Sequence, residues 1–361
     1  MTSSPNGATA LNGTMQAARI TKHGGLGAVS VVNQPIPEPG FGEVLVEIHA
    51  VGLNHLDLWV RRGVPGHKFP LPLTPGCDGA GIVVSCGAGV SNVTPGEAVI
   101  ISPGTSCGAC KHCLSGRDPL CRDYGIFGET RDGTCAEYAC IPAANVVPKP
   151  DSVAFHEAGC FALVALTAWT MLVERARIEP GEDVLILAGG SGVGSLGIQI
   201  AKLFGCRVIA TAGSDAKLAR LRELGADDVI HHGHEDIAGR VKELTDKRGV
   251  DVVFEHVGEA TWQASLRSLA WGGRLVTCGA TTGAHAECDL RMIFFKSLSI
   301  LGSTMGSKGV VPQLVQLLGE GRLRAPIATT IPLSKIETAH RLLEERHVFG
   351  KVVVVPDRYY S

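Results

Sequence analysis

The first part of the chain, residues 15–150, contains short apolar runs separated by Gly and Pro. Residues 43–48 alternate between apolar and polar positions with period two, which is typical of a strand that buries one face. Residues 81–84 and 98–101 are two further apolar runs of strand length. The pattern therefore predicts an all-β, loop-rich domain in this part of the chain.

The pattern changes at about residue 152, where apolar runs begin to alternate with stretches of helical spacing. Residues 251–255 and 274–278 have the length and composition of buried strands, whereas residues 260–269 have the spacing of a helix. Such alternation builds a parallel sheet covered by helices on both faces. We therefore predict an α/β domain with a doubly wound parallel sheet, and we expect the last strand, residues 351–355, to return to the first domain.

Residues 182–214 carry a strand, a glycine turn, a helix and a second strand in that order. Glycines let a backbone approach phosphate groups closely, and a helix N-terminus offers free N–H groups with a partial positive charge. A glycine turn can also serve only helix–sheet packing, but the flanking strands and helix favour dinucleotide binding. The glycines of this turn, within residues 189–194, therefore lie where a pyrophosphate would bind.

The end of the second strand indicates which dinucleotide is bound. NAD sites usually have an acidic residue about 20 residues past the glycine turn, where it bonds the ribose 2′-OH. This chain has Ala212 there, followed by Ser214, Lys217 and Arg220, which are suited to a 2′-phosphate. The acidic residue Asp215 favours NAD(H) instead. The positions of Lys217 and Arg220 are also compatible with the solvent-exposed face of a helix. We expect NADP(H) rather than NAD(H).

Composition restricts the remaining possibilities. The chain has 361 residues and a net charge of −2, which gives no reason to expect a nucleic acid or a membrane surface as partner. No apolar run has the length of a membrane span. Twelve cysteines without a secretory signal predict a reducing, cytoplasmic location, with free thiols or metal ligands. Residues 1–14 are rich in Ser, Gly, Asn and Thr, and we expect them to form a disordered tail.

Four cysteines of the first part stand close together, in the segment CGACKHCLSGRDPLC. Four thiolates at such short spacing can surround one Zn²⁺ ion tetrahedrally, and they leave no position for water. The spacing therefore predicts a structural zinc site rather than a catalytic one, with an iron–sulfur cluster and reactive thiols as alternatives. The predicted ligands are Cys107, Cys110, Cys113 and Cys121.

Several segments together resemble the medium-chain dehydrogenase/reductase superfamily, which includes zinc alcohol dehydrogenases and quinone oxidoreductases. They are residues 37–57 (PEPGFGEVLVEIHAVGLNHLD), the four-cysteine segment, residues 133–150 (GTCAEYACIPAANVVPKP), LTAW, the glycine turn and FGKVVV. The resemblance implies a GroES-like catalytic domain, residues 15–160 and 311–361, and a Rossmann NAD(P)-binding domain, residues 161–310. It also implies a homodimer formed through the strand near residues 297–301.

In the zinc alcohol dehydrogenases of this superfamily, three side chains hold a catalytic zinc ion. This chain has Asn54 at the position of the first Cys ligand, and Cys77 followed by Asp78 where the family has His followed by Glu. Leu163, four residues before Thr167, stands at the third ligand position. The resemblance therefore predicts that the catalytic zinc is absent, as in the zinc-free quinone oxidoreductases, whose GLN-x-x-D segment this chain shares.

The resemblance also implies roles for individual residues. Asn54, His55 and Thr167 are expected to donate hydrogen bonds near the nicotinamide, with His55 as proton donor and Asp57 orienting it. Such donors stabilise the enolate or hydroquinone that forms when hydride arrives, while the cofactor carries the hydride chemistry. The resemblance further places Gly190, Ser191, Gly192, Val193 and Gly194 at the pyrophosphate. Further implied cofactor contacts are Val257 and Gly258 after one later strand, Gly279 and Ala280 after the next, and Lys351 at a phosphate.

Three hypotheses about function follow. The first is an NADP(H)-dependent oxidoreductase without catalytic zinc, which reduces activated C=C bonds or quinone and enone acceptors by hydride transfer. The second is a zinc-dependent alcohol dehydrogenase with an atypical metal site made of Cys77, Asp78 and His55. The third is a non-catalytic NADPH-binding protein. A small-molecule substrate is expected under the first two hypotheses.

Overall fold

The computed structural model of the chain describes residues 13–360. The chain divides into two compact units. The first unit contains the chain up to Leu163, together with Ser307–Gly319 and the segment that begins at Ile327, and the second contains Val164–Gly306 and Glu320–Pro326. Most of the tail predicted for residues 1–14, namely residues 1–12, lies outside the described residues, and Thr14 already begins the first strand.

The secondary structure consists of seventeen strands, eleven α-helices, several short 3-10 turns and one π-helical segment, Thr170–Ala176, within residues 13–360. The strands are β1 (Thr14–Ile20), β2 (Val29–Pro35), β3 (Glu43–Gly52), β4 (Ala80–Cys86), β5 (Ala98–Ile101), β6 (Gly104–Thr105), β7 (Gly125–Ile126), β8 (Tyr138–Pro142), β9 (Val146–Pro148), β10 (Asp183–Ile186), β11 (Arg207–Ala212), β12 (Asp228–His231), β13 (Val250–Glu255), β14 (Leu269–Thr277), β15 (Ser299–Gly302), β16 (Ile327–Pro332) and β17 (Lys351–Val355). The helices are α1 (His55–Arg62), α2 (Lys111–Leu114), α3 (Phe155–Ala158), α4 (Ala162–Trp169), α5 (Gly192–Leu203), α6 (Asp215–Glu223), α7 (Ile237–Leu244), α8 (Glu259–Ser268), α9 (Leu290–Phe295), α10 (Val311–Gly319) and α11 (Ile336–Glu344).

The first unit is built on a seven-stranded sheet with the order β16-β17-β3-β4-β5-β9, in which β8 also pairs with β3. Alternate residues of β3, namely Val44, Val46 and Ile48, are fully buried in the core, as the period-two pattern predicts. The last strand returns as expected, because Val353 and Val354 of β17 pair antiparallel with β3. This return brings Lys351, the first residue of β17, to the end of β3.

The second unit is a six-stranded parallel sheet with the order β12-β11-β10-β13-β14-β15. This is the strand order of a doubly wound Rossmann sheet, and it confirms the predicted α/β fold. The central strands are buried on both faces, and Val184, Leu185 and Ile186 have no exposed surface. In such a sheet, ligands bind at the carboxyl ends of the strands, where the order reverses between β10 and β13.

Two details of the second unit differ from the sequence prediction. Strand β14 begins at Leu269 rather than at residue 274, because Leu269 pairs with Val250 before an irregularity in the register. Glu320–Pro326 belongs to the second unit rather than the first. The side-chain amide of Gln199 explains this placement, since it donates to the Arg324 carbonyl at 2.9 Å and accepts from the Arg324 N–H at 3.0 Å.

None of the helices in residues 13–360 combines the length and the apolar character that a bilayer span requires.

Candidate functional site

The four predicted zinc ligands converge in the lobe that contains α2. Their sulfur atoms all lie within 4.8 Å of one another, and three of the Sγ–Sγ distances are 3.5, 3.6 and 3.8 Å. A tetrahedron with Zn–S bonds of about 2.3 Å has edges of about 3.8 Å, so the thiols are spaced to hold one zinc ion. This structural zinc site consists of Cys107, Cys110, Cys113 and Cys121.

Two of the four thiols, those of Cys107 and Cys113, are shifted toward the thiolate form that zinc requires. A hydrogen bond from the backbone N–H of Ala109 lowers the pKa of Cys107, and a hydrogen bond from Ser106 lowers the pKa of Cys113 to about 6. Backbone N–H and hydroxyl donors stabilise the negative charge that a metal ligand carries. The thiol of Cys121 differs, because burial and its hydrogen bonds to the Cys107 and Cys113 side chains raise its pKa to about 11 in spite of a backbone hydrogen bond from Cys107.

The glycine turn of the second unit has the geometry expected of a phosphate-binding loop. Ser191 caps the twelve-residue helix α5, because its Oγ accepts a hydrogen bond from the Gly194 N–H at 2.9 Å. A Cβ atom at Gly194 would lie 2.6 Å from the Ala188 carbonyl oxygen, so only glycine allows the helix to pack this closely on the strand. The N-terminus of α5 therefore lies directly after β10, where a pyrophosphate binds in this fold.

Other predicted cofactor residues follow neighbouring strands of the same sheet. The buried Glu255 carboxylate, at the end of β13, accepts hydrogen bonds from the backbone of Val257 at 2.6 Å and Gly258 at 2.9 Å. Gly279 and Ala280 follow the end of β14. Carboxyl ends of parallel strands meet at one edge of a sheet, so these residues and the glycine turn share one edge.

The end of β11 contains the residues predicted to distinguish the two dinucleotides. Ser214 caps α6, and its Oγ accepts a hydrogen bond from the Lys217 N–H at 3.4 Å. The sequence prediction missed His232, which follows β12. Its Nδ1 lies 3.4 Å from the Thr211 Oγ1, and its Nε2 would lie 2.8 Å from a Cβ atom at Gly213. Strand pairing of β11 with β12 brings His232 here, a contact that spacing along the sequence does not reveal.

The residues at the family's metal-ligand positions form a second centre, within the first unit. The Asn54 Nδ2 donates to the Asp78 Oδ2 at 2.9 Å and to the Cys77 Sγ at 3.3 Å. The Asp78 Oδ1 accepts from the Leu163 N–H at 2.7 Å. The Lys351 ammonium donates to the Asn54 Oδ1 and, at 3.2 Å, to the Asp78 Oδ2. Asn54, Cys77 and Leu163, which the resemblance places at the three metal-ligand positions, are therefore connected by hydrogen bonds, either directly or through Asp78.

Lys351 has a different set of partners from the phosphate predicted for it. Its side chain is only 3% exposed and its ammonium contacts Asn54 and Asp78 inside the unit. The Asn54 amide also donates to the Gly52 carbonyl, at 3.0 Å, so its donors have partners within the protein. The expected roles of Asn54 toward the substrate and of Lys351 toward a phosphate stay predictions.

Helix α1 begins at this centre. His55 is its first residue, and its ring meets the Trp59 ring edge-on at a centroid distance of 6.0 Å. The Asp57 carboxylate accepts from the backbone N–H groups of Asn54 at 2.7 Å and Gly76 at 2.8 Å. Burial raises the pKa of Asp57 to about 6 in spite of these hydrogen bonds. Its predicted role in orienting His55 stays a prediction.

The donor set of this centre does not fit a catalytic zinc ion. Burial raises the pKa of Cys77 well above its usual value, which disfavours a thiolate ligand. Asp78 already pairs with an ammonium. The Cys107–Cys121 lobe is the one group of three or more His, Cys, Asp or Glu ligand atoms within 4.8 Å in residues 13–360. The atypical site of Cys77, Asp78 and His55 is therefore not assembled there.

Thr167, the remaining predicted catalytic residue, lies on α4 in the second unit. It is buried, with 6% of its surface exposed. The π-helical segment that follows α4 is a feature that often accompanies functional sites.

We expect Cys107→Ser to abolish binding of the lobe's zinc ion, because a hydroxyl is a poor replacement for a thiolate in a tetrahedral sulfur site. Elemental analysis should show about one zinc fewer per chain than in the wild type, with a lower melting temperature. Cys86→Ser is the control, since the Cys86 thiol only donates to the Val93 carbonyl. Unchanged zinc in Cys107→Ser would contradict the assignment.

Comparison with known proteins gives a dehydrogenase family for each of the two units. Residues 40–151 match the family described as alcohol dehydrogenase GroES-like domain, and residues 192–320 match the zinc-binding dehydrogenase family. A crystal structure described as an NAD-dependent alcohol dehydrogenase is 46% identical, with a TM-score of 0.92, and the match covers 94% of this chain and 99% of that chain.

Curated relatives extend the comparison. An alcohol dehydrogenase from Geobacillus stearothermophilus is 32% identical over 322 residues, which are 89% of this chain and 94% of the relative. A quinone oxidoreductase from Salmonella typhimurium is 28% identical over 350 residues, which cover 93% of this chain and 98% of the relative. With its Rossmann strand order and its four-cysteine zinc lobe, the chain belongs to the medium-chain dehydrogenase/reductase superfamily and is an NAD(P)-dependent oxidoreductase.

Proposed function

We propose that the chain interconverts an alcohol and a carbonyl compound by hydride transfer to or from the nicotinamide. The observation that carries this proposal is the 46% identity with an NAD-dependent alcohol dehydrogenase along 94% of the chain. It favours alcohol and carbonyl chemistry over the zinc-free reduction of activated C=C bonds that the sequence suggested first. In the reductive direction, hydride reaches the carbonyl carbon and a proton reaches the oxygen, and His55 is the side chain that we propose as proton donor.

A second candidate function is the reduction of a conjugated C=C bond. The specific observation that favours it is the second centre, where Asn54, Cys77 and Leu163 occupy the metal-ligand positions and an ammonium contacts Asp78. An isolated carbonyl is difficult to polarise without a metal ion, whereas a conjugated acceptor delocalises the charge that hydride brings. The quinone oxidoreductase relative agrees with this candidate.

A single probe, cyclohex-2-enone, distinguishes the two candidates, because hydride can attack either end of its conjugated system. We expect hydride at the carbonyl carbon, which gives the allylic alcohol, and the same enzyme should oxidise that alcohol with NAD(P)⁺. Gas chromatography of the products measures this directly. Saturated cyclohexanone as the sole product would favour the second candidate, and no NAD(P)H oxidation with enones, ketones or quinones would contradict both. Cyclohexanone as substrate is the control for a simple ketone.

We also propose that NADP(H) is the preferred cofactor, although the crystal structure reported above is described as NAD-dependent. The end of β11 has Ala212 where an NAD site has a carboxylate. Burial lowers the pKa of His232, and the positive charges of His231 and Lys217 lower it further. The effect of Lys217 indicates that its ammonium lies near His232, beside this position. The Lys217 ammonium in the first turn of α6 suits a dianionic 2′-phosphate, and the neutral imidazole of His232 offers a hydrogen-bond donor beside it.

Lys217→Ala should raise the KM for NADPH by roughly 10- to 100-fold and leave the KM for NADH nearly unchanged, since a charged hydrogen bond contributes about 1.5–3 kcal/mol. Steady-state kinetics with both cofactors measures the ratio. The matched control is Lys202→Ala, which removes an exposed lysine that pairs with Asp227. Equal effects on the two cofactors would exclude a role for Lys217 in recognising the 2′-phosphate.

The outer edge of the second unit supports a homodimer. Strand β15 is the last strand of its sheet, with β14 as its neighbour in the described structure. An edge strand offers free backbone donors and acceptors to another copy of the chain. Large apolar side chains are exposed in β14, α9 and β15, namely Trp271, Leu290, Phe294, Phe295 and Ile300. The twelve cysteines, none of which forms a disulfide, further support the cytoplasm as the proposed compartment, which cell fractionation would test.

Light scattering should give twice the chain mass of 37.8 kDa. Ile300→Lys should shift the protein toward the monomer, because a charge on an edge strand opposes strand pairing. Phe41→Lys is the control, since Phe41 is 84% exposed but belongs to the first unit. A monomeric wild-type protein would exclude the proposed interface.

A further inference from the structure

We propose that the buried ammonium of Lys351 is the resident cation of the second centre, and that this centre therefore does not take up the metal ion that zinc alcohol dehydrogenases of the family hold with the residues at positions 54, 77 and 163. The proposal concerns the site of the proposed function, but its tests use no substrate. It can therefore fail while hydride transfer stands, and the reverse is also true.

The Lys351 ammonium lies beside residues at the metal-ligand positions. The positions of the three family ligands, Asn54, Cys77 and Leu163, all contact one another or Asp78 within 3.3 Å. The Lys351 Nζ donates to oxygen atoms of Asn54 and Asp78 within this group. The cation therefore contacts Asn54, at one of the ligand positions, and Asp78, which follows a second ligand position.

The polar atoms of Asn54, Cys77 and Asp78 already have hydrogen-bond partners. A Lys ammonium has donors and no acceptor, so each oxygen that faces it gives up a lone pair that a metal ion would need. The Asp78 Oδ2 and the Asn54 Oδ1 both face Lys351, while the Asp78 Oδ1 accepts from the Leu163 backbone. The Asn54 amide nitrogen points to the Cys77 sulfur, which makes this sulfur an acceptor. Every polar atom of the group thus has a partner without a metal ion.

The two opposite charges of this centre, on Asp78 and Lys351, are both buried. Asp78 has no exposed surface and the Lys351 side chain is 3% exposed, so neither charge is solvated by bulk water. A buried carboxylate requires a counter-charge, and removal of one partner leaves the other uncompensated. Lys351 supplies that charge as part of the folded chain. The cation of this centre is therefore fixed by the fold and does not depend on metal supply.

The first test is a zinc count on the wild-type protein after incubation with excess Zn²⁺ and removal of free metal by gel filtration. We expect one zinc per chain, bound by the four-cysteine lobe. Two tightly bound zinc ions per chain would overturn the proposal. This measurement needs no variant, so it remains decisive if the substitutions below prevent folding.

The second test is a double-mutant cycle of thermal stability with Lys351→Met, Asp78→Asn and the double variant. Methionine keeps much of the volume of the lysine stem and removes the charge. We expect each single variant to lower the melting temperature by several degrees, and the double variant to recover at least half of the larger loss. Additive losses would overturn the proposal, because they would mean that the two charges do not depend on each other.

The matched control for the cycle is the ion pair of Lys202 and Asp227, whose Nζ–Oδ2 distance is 2.8 Å but whose side chains are 35% and 38% exposed. Solvated pairs contribute little to stability. The corresponding cycle with Lys202→Met and Asp227→Asn should show a coupling several-fold smaller than that of the buried pair. Equal coupling in the two pairs would contradict the assignment of a special role to Lys351.

Discussion

The buried carboxylate of Asp78 requires a balance of charge that constrains how the first unit can be built. A carboxylate with no exposed surface costs several kcal/mol in lost hydration unless a positive charge and hydrogen-bond donors replace the water. Those replacements come from separate parts of the chain: the side chains of Asn54 and Lys351 and the backbone of Leu163. The pairing of β17 with β3 is what delivers the ammonium. The arrangement of the sheet and the electrostatics of the centre therefore depend on each other.

The second unit is constrained by backbone geometry rather than by buried charge. Gly194 must lack a side chain because the Ala188 carbonyl oxygen is so near, and Ser191 supplies the cap that fixes the start of α5. These two requirements hold the helix N-terminus at the carboxyl end of β10. The same sequence features therefore serve both packing and phosphate binding, which is why the motif is informative about function.

Much of the fold could be predicted from the sequence because the patterns that specify it lie within short, continuous segments. The apolar runs at residues 98–101 and 351–355 coincide with β5 and β17, and the cysteine spacing located the zinc lobe. The partners of Lys351 and the position of His232 could not be predicted, since both depend on strand pairing between distant segments. The Gln199 amide likewise attaches Glu320–Pro326 to the second unit through contacts separated by 125 residues.

The return of β17 to β3 has a consequence for biosynthesis. Lys351 and Asn54 are 297 residues apart in sequence, so β3 leaves the ribosome long before its neighbour in the sheet exists. At about 5–20 residues per second, the delay is roughly 15–60 seconds. During that time the edge of β3 and the Asp78 carboxylate lack their final partners, while the whole second unit is synthesised. Nascent chains of this protein therefore pass through a stage at which the second unit has been synthesised while the sheet of the first unit still lacks β17.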